Sequence, residues 1–96
     1  MPIPCLYTGH ARREMKHEPF GEISEEEVEE AMSVSEVVEE YPDDTPYPSA
    51  LLFGTTHANR PLHVVCAYDA EGEQAVIITV YHPDPQRWED YRRRKK

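Results

Sequence analysis

Histidine is the side chain best suited to moving a proton near neutral pH, and one of the five here interrupts an apolar run. His63 follows Arg60-Pro61 in the stretch RPLHVVCAY, and a chain reversal a few residues later brings Tyr81-His82 back beside it. An imidazole and a phenol at one end of a hairpin are suited to general acid–base chemistry. They equally suit a structural histidine bonded to a backbone carbonyl or to Tyr81. A second group, His10-Ala11-Arg12-Arg13, joins an imidazole to two guanidiniums, a combination that clamps a phosphate and moves a proton. The plainer reading there pairs Arg13 with a neighbouring glutamate and leaves His10 on the first helical turn.

Other chemistries are poorly served. His10, Glu14 and His17 share one helical face, but zinc held there lacks a fourth ligand, and no metal or cofactor is expected. Cys5 and Cys66 lie far apart with no C-x-x-C spacing; Cys66 falls in an apolar strand and Cys5 beside prolines, so neither reads as a nucleophile. The sequence contains no Gly-rich phosphate loop, G-x-S-x-G or H-E-x-x-H. No run of eighteen apolar residues suggests a membrane span, and MPIPCLYTGH lacks the basic start and apolar centre of a secretory signal. A cytoplasmic protein with free thiols and no membrane partner is the expectation.

Charge is unevenly distributed along the chain. The formal net charge is −9; Met1 to Asp44 holds 13 acids and 3 bases, whereas Thr45 to Lys96 holds 6 and 7. Such a balance disfavours a nonspecific polyanion binder. Five consecutive bases, Arg92 to Lys96, read as the frayed end of a helix whose dipole they complement, with a nucleic-acid contact as the alternative.

The elements that must position these residues centre on Leu62 to Tyr81. Two strands of apolar and β-branched residues flank Asp69-Ala70-Glu71-Gly72-Glu73, where Gly72 is expected to supply a positive φ. Apolar residues on both faces predict a hairpin covered from both sides. Upstream, Ile3 to Tyr7 reads as a short strand that Pro2 and Pro4 confine to an edge. Thr8 caps a helix from Gly9 to about His17, with Ala11 and Met15 inward. Ser24 and Glu27 form a capping box, and Ile23 and Val28 a hydrophobic staple, for a second helix rich in glutamate. Ser35 to Tyr41 reads as strand or late helix, Pro42 to Pro48 as a rigid loop, and Ser49 to Gly54 as a strand. Asp84-Pro85 opens a last helix carrying Trp88 and Tyr91 on one side. One domain over 1–96 is expected, with its core at about 7–82. Its fold class is α+β: two N-terminal helices on one face of an antiparallel sheet of three to four strands, and a short C-terminal helix over 84–96.

Several short motifs occur together in one order: His10-Ala11-Arg12-Arg13, Ile23-Ser24, Tyr41-Pro42-Asp43-Asp44, Arg60-Pro61-Leu62-His63-Val64-Val65 and Ile78-Thr79-Val80-Tyr81. Together they resemble the bacterial family labelled domain of unknown function 4258, over about Tyr7 to Tyr81. The resemblance implies a two-layer fold related to RelE/ParE and MqsR-like toxins, small proteins that often act as metal-independent ribonucleases. It implies RNA or the ribosome as target and a small zinc-finger, antitoxin-like protein as partner. His63 would then be general base or acid at a ribose 2′-hydroxyl, with His10 or Tyr81 as its counterpart. Arg12, Arg13 and Arg60 would stabilise charge on the scissile phosphate. The second function these residues support is a non-catalytic interaction module that docks a basic partner on the acidic Glu18 to Asp44 segment. Either function is compatible with a monomer or a homodimer.

Overall fold

Two helices pack on one face of a five-stranded sheet, and a small hairpin closes the other face. The computed structural model describes residues 4–45 and 47–95. Helices α1 (Gly9–Lys16) and α2 (Glu25–Ser33) lie among strands β1 (Cys5–Tyr7), β2 (Glu36–Tyr41), β3 (Ser49–Thr55), β4 (Pro61–Asp69), β5 (Gln74–Tyr81), β6 (Trp88–Glu89) and β7 (Arg93–Arg94). Ile3, read above as part of the first strand, lies outside the described residues, as do Pro46 of the loop and Lys96 of the tail.

Both helices start where local chemistry says they should. Thr8 Oγ1 accepts the Ala11 N–H at 3.1 Å, leaving Ala11 and Met15 one above the other against the sheet. Ser24 Oγ accepts the Glu27 N–H at 3.1 Å while Glu27 Oε1 accepts the Ser24 N–H at 3.0 Å, the reciprocal bonds of a capping box. Ile23 and Val28, the staple residues, are both buried. The core lies between the helices and the sheet, where Tyr7, Ala11, Met15, Ile23, Val28 and Ala31 meet Leu62, Val64, Ala75, Ile77 and Val80.

The strand order is β1-β5-β4-β3-β2, with β6 and β7 forming a separate pair. The β4–β5 hairpin is as expected, and His63 faces Tyr81 across it. Its turn works differently. The positive φ falls on Glu73, at 49°, while Gly72 makes room for Asp69, whose carboxylate accepts the Gly72 N–H at 3.1 Å. A Cβ on Gly72 would stand 2.7 Å from that carboxylate.

Two expectations need correction. The sheet is not antiparallel with three or four strands: it has five, and it is mixed, because β1 runs parallel to β5, pairing Cys5 to Ala75 through Tyr7 to Ile77. Short connections between successive strands do predict the β2-β3-β4-β5 meander, but a three-residue strand returning to the far edge leaves no such mark. Nor is there a C-terminal helix among the described residues. Asp84 does cap a turn, its Oδ1 accepting the Gln86 N–H at 2.8 Å, but the chain then extends. Asp90 and Tyr91, at φ 52° and 60°, reverse it so that Trp88 pairs with Arg94 and Glu89 with Arg93. Burying Trp88 against the sheet, where it is 5% exposed, overrides the helical preference of that segment.

The layers approach each other closely at Gly54 on β3. A Cβ added there would stand 2.0 Å from the Ala31 carbonyl oxygen of α2. Only glycine lets the helix rest on the strand at this height. Gly54→Ala is therefore expected to lose about 3 kcal/mol, the upper end for overpacking, because helix backbone must move. Chemical denaturation reads this directly; a variant within about 0.5 kcal/mol of wild type would show the contact to be slack.

Candidate functional site

The second face of the sheet gathers His63, Tyr81, Phe53, Trp88 and Tyr91. Strand register sets the first three abreast, since His63 opposes Phe53 on one side and Tyr81 on the other. The C-terminal hairpin supplies the rest. The His63 ring meets Trp88 edge-on at 4.5 Å between centroids, Tyr81 at 5.2 Å and Phe53 at 5.9 Å. It is completely buried, at 0% exposure.

Both ring nitrogens are bonded, and the partners fix the tautomer. Nε2 lies 2.7 Å from the Tyr91 carbonyl oxygen, which only accepts, so Nε2 carries the proton. Nδ1 lies 3.0 Å from the Tyr81 hydroxyl and is left as acceptor, so the Tyr81 O–H donates to it. A chain of hydrogen bonds thus runs from the Tyr81 phenol through the imidazole to a backbone carbonyl. Burial holds the His63 pKa below its ordinary 6.5, keeping the ring neutral. Burial likewise pushes the Tyr81 phenol up to about 12.

Tyr81 is also one wall of an open cleft of about 630 Å³, shared with Glu18, His82, Asp84, Arg87, Trp88, Arg94 and Lys95. Three cations face two carboxylates there, in a chain of net charge −9. Two other hollows lack this bias. One, beside Arg12 and Lys16, also holds Glu22 and Glu25; the other sets Arg92 against Glu36 and Asp90. Within the cleft, Glu18 is occupied by backbone, its Oε2 accepting the His82 N–H at 3.3 Å, as Asp84 is by Gln86. Arg94 is oriented by Glu39, with Nε–H to Oε2 at 2.9 Å and Nη2–H to Oε1 at 3.1 Å, and its guanidinium lies over Trp88. Glu39 is held below the usual carboxylate range by those bonds, and Arg94 is raised by the same pairing. Arg87 and Lys95 form no ion pair among the described residues.

Of the six residues singled out from sequence, the structure brings together His63 and Tyr81. His10 sits on exposed α1 with Nε2 3.3 Å from Glu14. Arg12 pairs with Glu25 at 2.7 Å and lies over the Tyr7 ring. Arg13 is exposed on the same helix. Arg60 is engaged by the chain itself: it bonds Glu27 at 3.2 Å, the Glu22 carbonyl at 3.0 Å and the Gly21 carbonyl, so it pins the loop between the helices. Among the described residues no three His, Cys, Asp or Glu side chains gather as a metal-binding group.

Sequence reasoning missed Arg87, Trp88, Arg94 and Lys95 as cleft residues because it placed them on a helix. The available signal was Pro83-Asp84-Pro85, which breaks the chain twice, and Asp90 between two aromatic residues, a turn former in a stretch too short for a helix with both ends capped.

The buried neutral His63 gives a pH dependence of definite sign. Unfolded, a histidine binds a proton below about 6.5; folded, His63 resists one to a lower pH. The unfolded state therefore holds more protons as pH falls, and stability drops below pH 6.5 by up to about 1.4 kcal/mol per unit until the folded pKa is passed. Urea titrations from pH 7.5 to 5 measure it; a flat profile down to 5 would show His63 protonating freely.

No helix is long and apolar enough to cross a membrane among the described residues. No curated protein and no solved structure matches the chain. A family model does, over residues 7–82, which include the last residue of β1, both helices, β2 through β5 and the His63–Tyr81 pair: the chain belongs to the family described as Domain of unknown function (DUF4258).

Proposed function

We propose that this chain is a ribonuclease domain that cuts RNA without a metal, with the scissile phosphodiester held in the cleft beside Tyr81. The observation that carries the reading is the bonded series Tyr81–His63–Tyr91 carbonyl, whose Tyr81 also lines a cleft with three cations in its walls. A ribose 2′-hydroxyl bonded to the Tyr81 oxygen loses its proton to that oxygen as Tyr81 passes its own to His63 Nδ1. The freed 2′-oxygen attacks phosphorus, the P–O5′ bond breaks, and the departing 5′-oxygen takes a proton from solvent. Imidazolium forms with both N–H groups bonded, one to the phenol and one to the carbonyl. Charge on the phosphorane falls to Arg87, Arg94 and Lys95, with Arg94 already aimed by Glu39. A net charge of −9 favours RNA presented by the ribosome over free RNA. An antitoxin-like zinc-finger protein is the partner that would keep such an activity in check.

A second reading has its own support. His63 is sealed from solvent with both nitrogens satisfied, as a purely structural histidine is. Glu22, Glu25, Glu26 and Glu29 remain exposed around α2, an acidic surface for docking a basic partner.

Cleavage assays separate the two. Labelled RNA in the presence of a chelator, and messenger RNA on ribosomes, are expected to be cut by wild-type protein. Tyr81→Phe should cut at least about 100-fold more slowly while staying folded, its stability lowered by no more than the about 1–3 kcal/mol that an unpaired His63 Nδ1 costs. Equal rates, or no cleavage of either substrate, would leave the interaction module as the function.

A further inference from the structure

Beside the cleft stands an aromatic pair that the cleavage scheme does not use. Phe20 and His82 stack with centroids 4.5 Å apart and rings inclined by 23°. Phe20 is 53% exposed, so about half of this apolar residue stays open to solvent although its ring is stacked on His82. His82 is itself a lining residue of the cleft, next in sequence to Tyr81. The His82 ring is anchored by its backbone: Nδ1 donates to the Pro83 carbonyl at 3.2 Å, and the main-chain N–H is held by Glu18. Phe20 is carried by a loop that Arg60 pins through the Gly21 and Glu22 carbonyls, and its own N–H donates to Glu18 Oε1 at 3.4 Å. Glu18 thus fixes both partners of the stack.

An exposed ring at the edge of a site that holds cations is the arrangement by which proteins take a nucleobase out of water. The flat face accepts any base, and the cations take the flanking phosphates. A cleft of about 630 Å³ matches the size of one nucleotide. Bases within a duplex are stacked on their own neighbours and expose no face.

We infer that the Phe20–His82 stack seats an unpaired nucleobase, so that the ligand of the cleft is single-stranded RNA with its phosphates on Arg87 and Lys95. This rests on the reading of the cleft as an RNA site, but not on cleavage. The base extends the stack, and the chain of phosphates then runs past Tyr81.

Fluorescence anisotropy tests it with a labelled eight-nucleotide RNA whose ribose hydroxyls are 2′-O-methylated, so that binding is read without cutting. The same strand annealed to its complement is the comparison. Wild-type protein is expected to bind the single strand about tenfold tighter than the duplex. Phe20→Ala should lose about tenfold on the single strand and nothing on the duplex, Phe20→Trp should retain binding, and Arg87→Ala should weaken both. Phe20 is a half-exposed loop residue, so its replacement leaves the core intact; a matching melting curve verifies this. Equal affinity for single strand and duplex, no binding of either, or an unaffected Phe20→Ala variant overturns the inference. Binding with this pattern but without cleavage of natural RNA would sink the nuclease reading and leave the base seat standing. Cleavage that depends on Tyr81, with Phe20→Ala binding as wild type, would do the reverse.

Discussion

A histidine with no access to water must find partners for both nitrogens, and meeting that demand at His63 organises half of this molecule. An unsatisfied polar atom in that position would cost about 1–3 kcal/mol. The sheet itself provides one partner, Tyr81, by register. The other has to come from elsewhere in the chain, and it is the Tyr91 carbonyl, which arrives only if residues after Pro83 fold back over the sheet. Tyr91 presents that carbonyl from a left-handed conformation, φ 60°, next to Asp90 at 52°. Two such residues in succession are the mark of a type I′ turn, which non-glycine residues adopt at some cost. The cost is offset by the bond to His63 and by burial of Trp88 beside it.

The same fold-back resolves the charge asymmetry of the sequence. Acids crowd the first half and bases the last few residues, and the structure lays one on the other. Arg92 reaches Glu36 and Arg94 reaches Glu39, both on β2, the outer strand of the sheet. Each guanidinium also covers an aromatic ring, Arg92 over Phe53 and Arg94 over Trp88. Exposed ion pairs of this kind contribute little singly, at most about 1 kcal/mol. Their larger effect is positional, since they tie the hairpin to β2 and leave Arg87 and Lys95, which have no ion-pair partner among the described residues, lining the cleft.

What was legible in the sequence was whatever local chemistry specifies. The capping box at Ser24 and Glu27, the staple at Ile23 and Val28 and the alternation of Leu62 to Tyr81 each encode their structure within a few residues. So does the pairing of His63 with Tyr81, which follows from the hairpin alone. The parallel return of β1 and the C-terminal hairpin were not legible, because both are decided by contacts across the whole chain. Arg60 shows the same limit within the site. Its type suits a phosphate, yet the carbonyls of Phe20, Gly21 and Glu22 and the Glu27 carboxylate surround it. No short motif records that a loop forty residues away will close on a side chain. Its contribution to the site is indirect: by pinning that loop it keeps Phe20 against His82.

The protonation energetics at Tyr81 and His63 bear on when the site could act. Burial makes the imidazole a reluctant base and the phenol, at about 12, a reluctant acid, so at neutral pH neither ionises alone. Under the proposed scheme, proton transfer from a substrate hydroxyl would therefore have to be concerted along the bonded series, and the imidazolium it creates would have no water to solvate it. Its compensation would come from the Tyr91 carbonyl, from Glu39 on β2 and from the negative charge building on phosphorus. Arg94, by contrast, opposes that imidazolium, although its pairing with Glu39 offsets part of its charge. In the proposed scheme a phosphodiester seated on Arg94 would reverse the sign of its surroundings, so that the ligand would itself make the relay able to run.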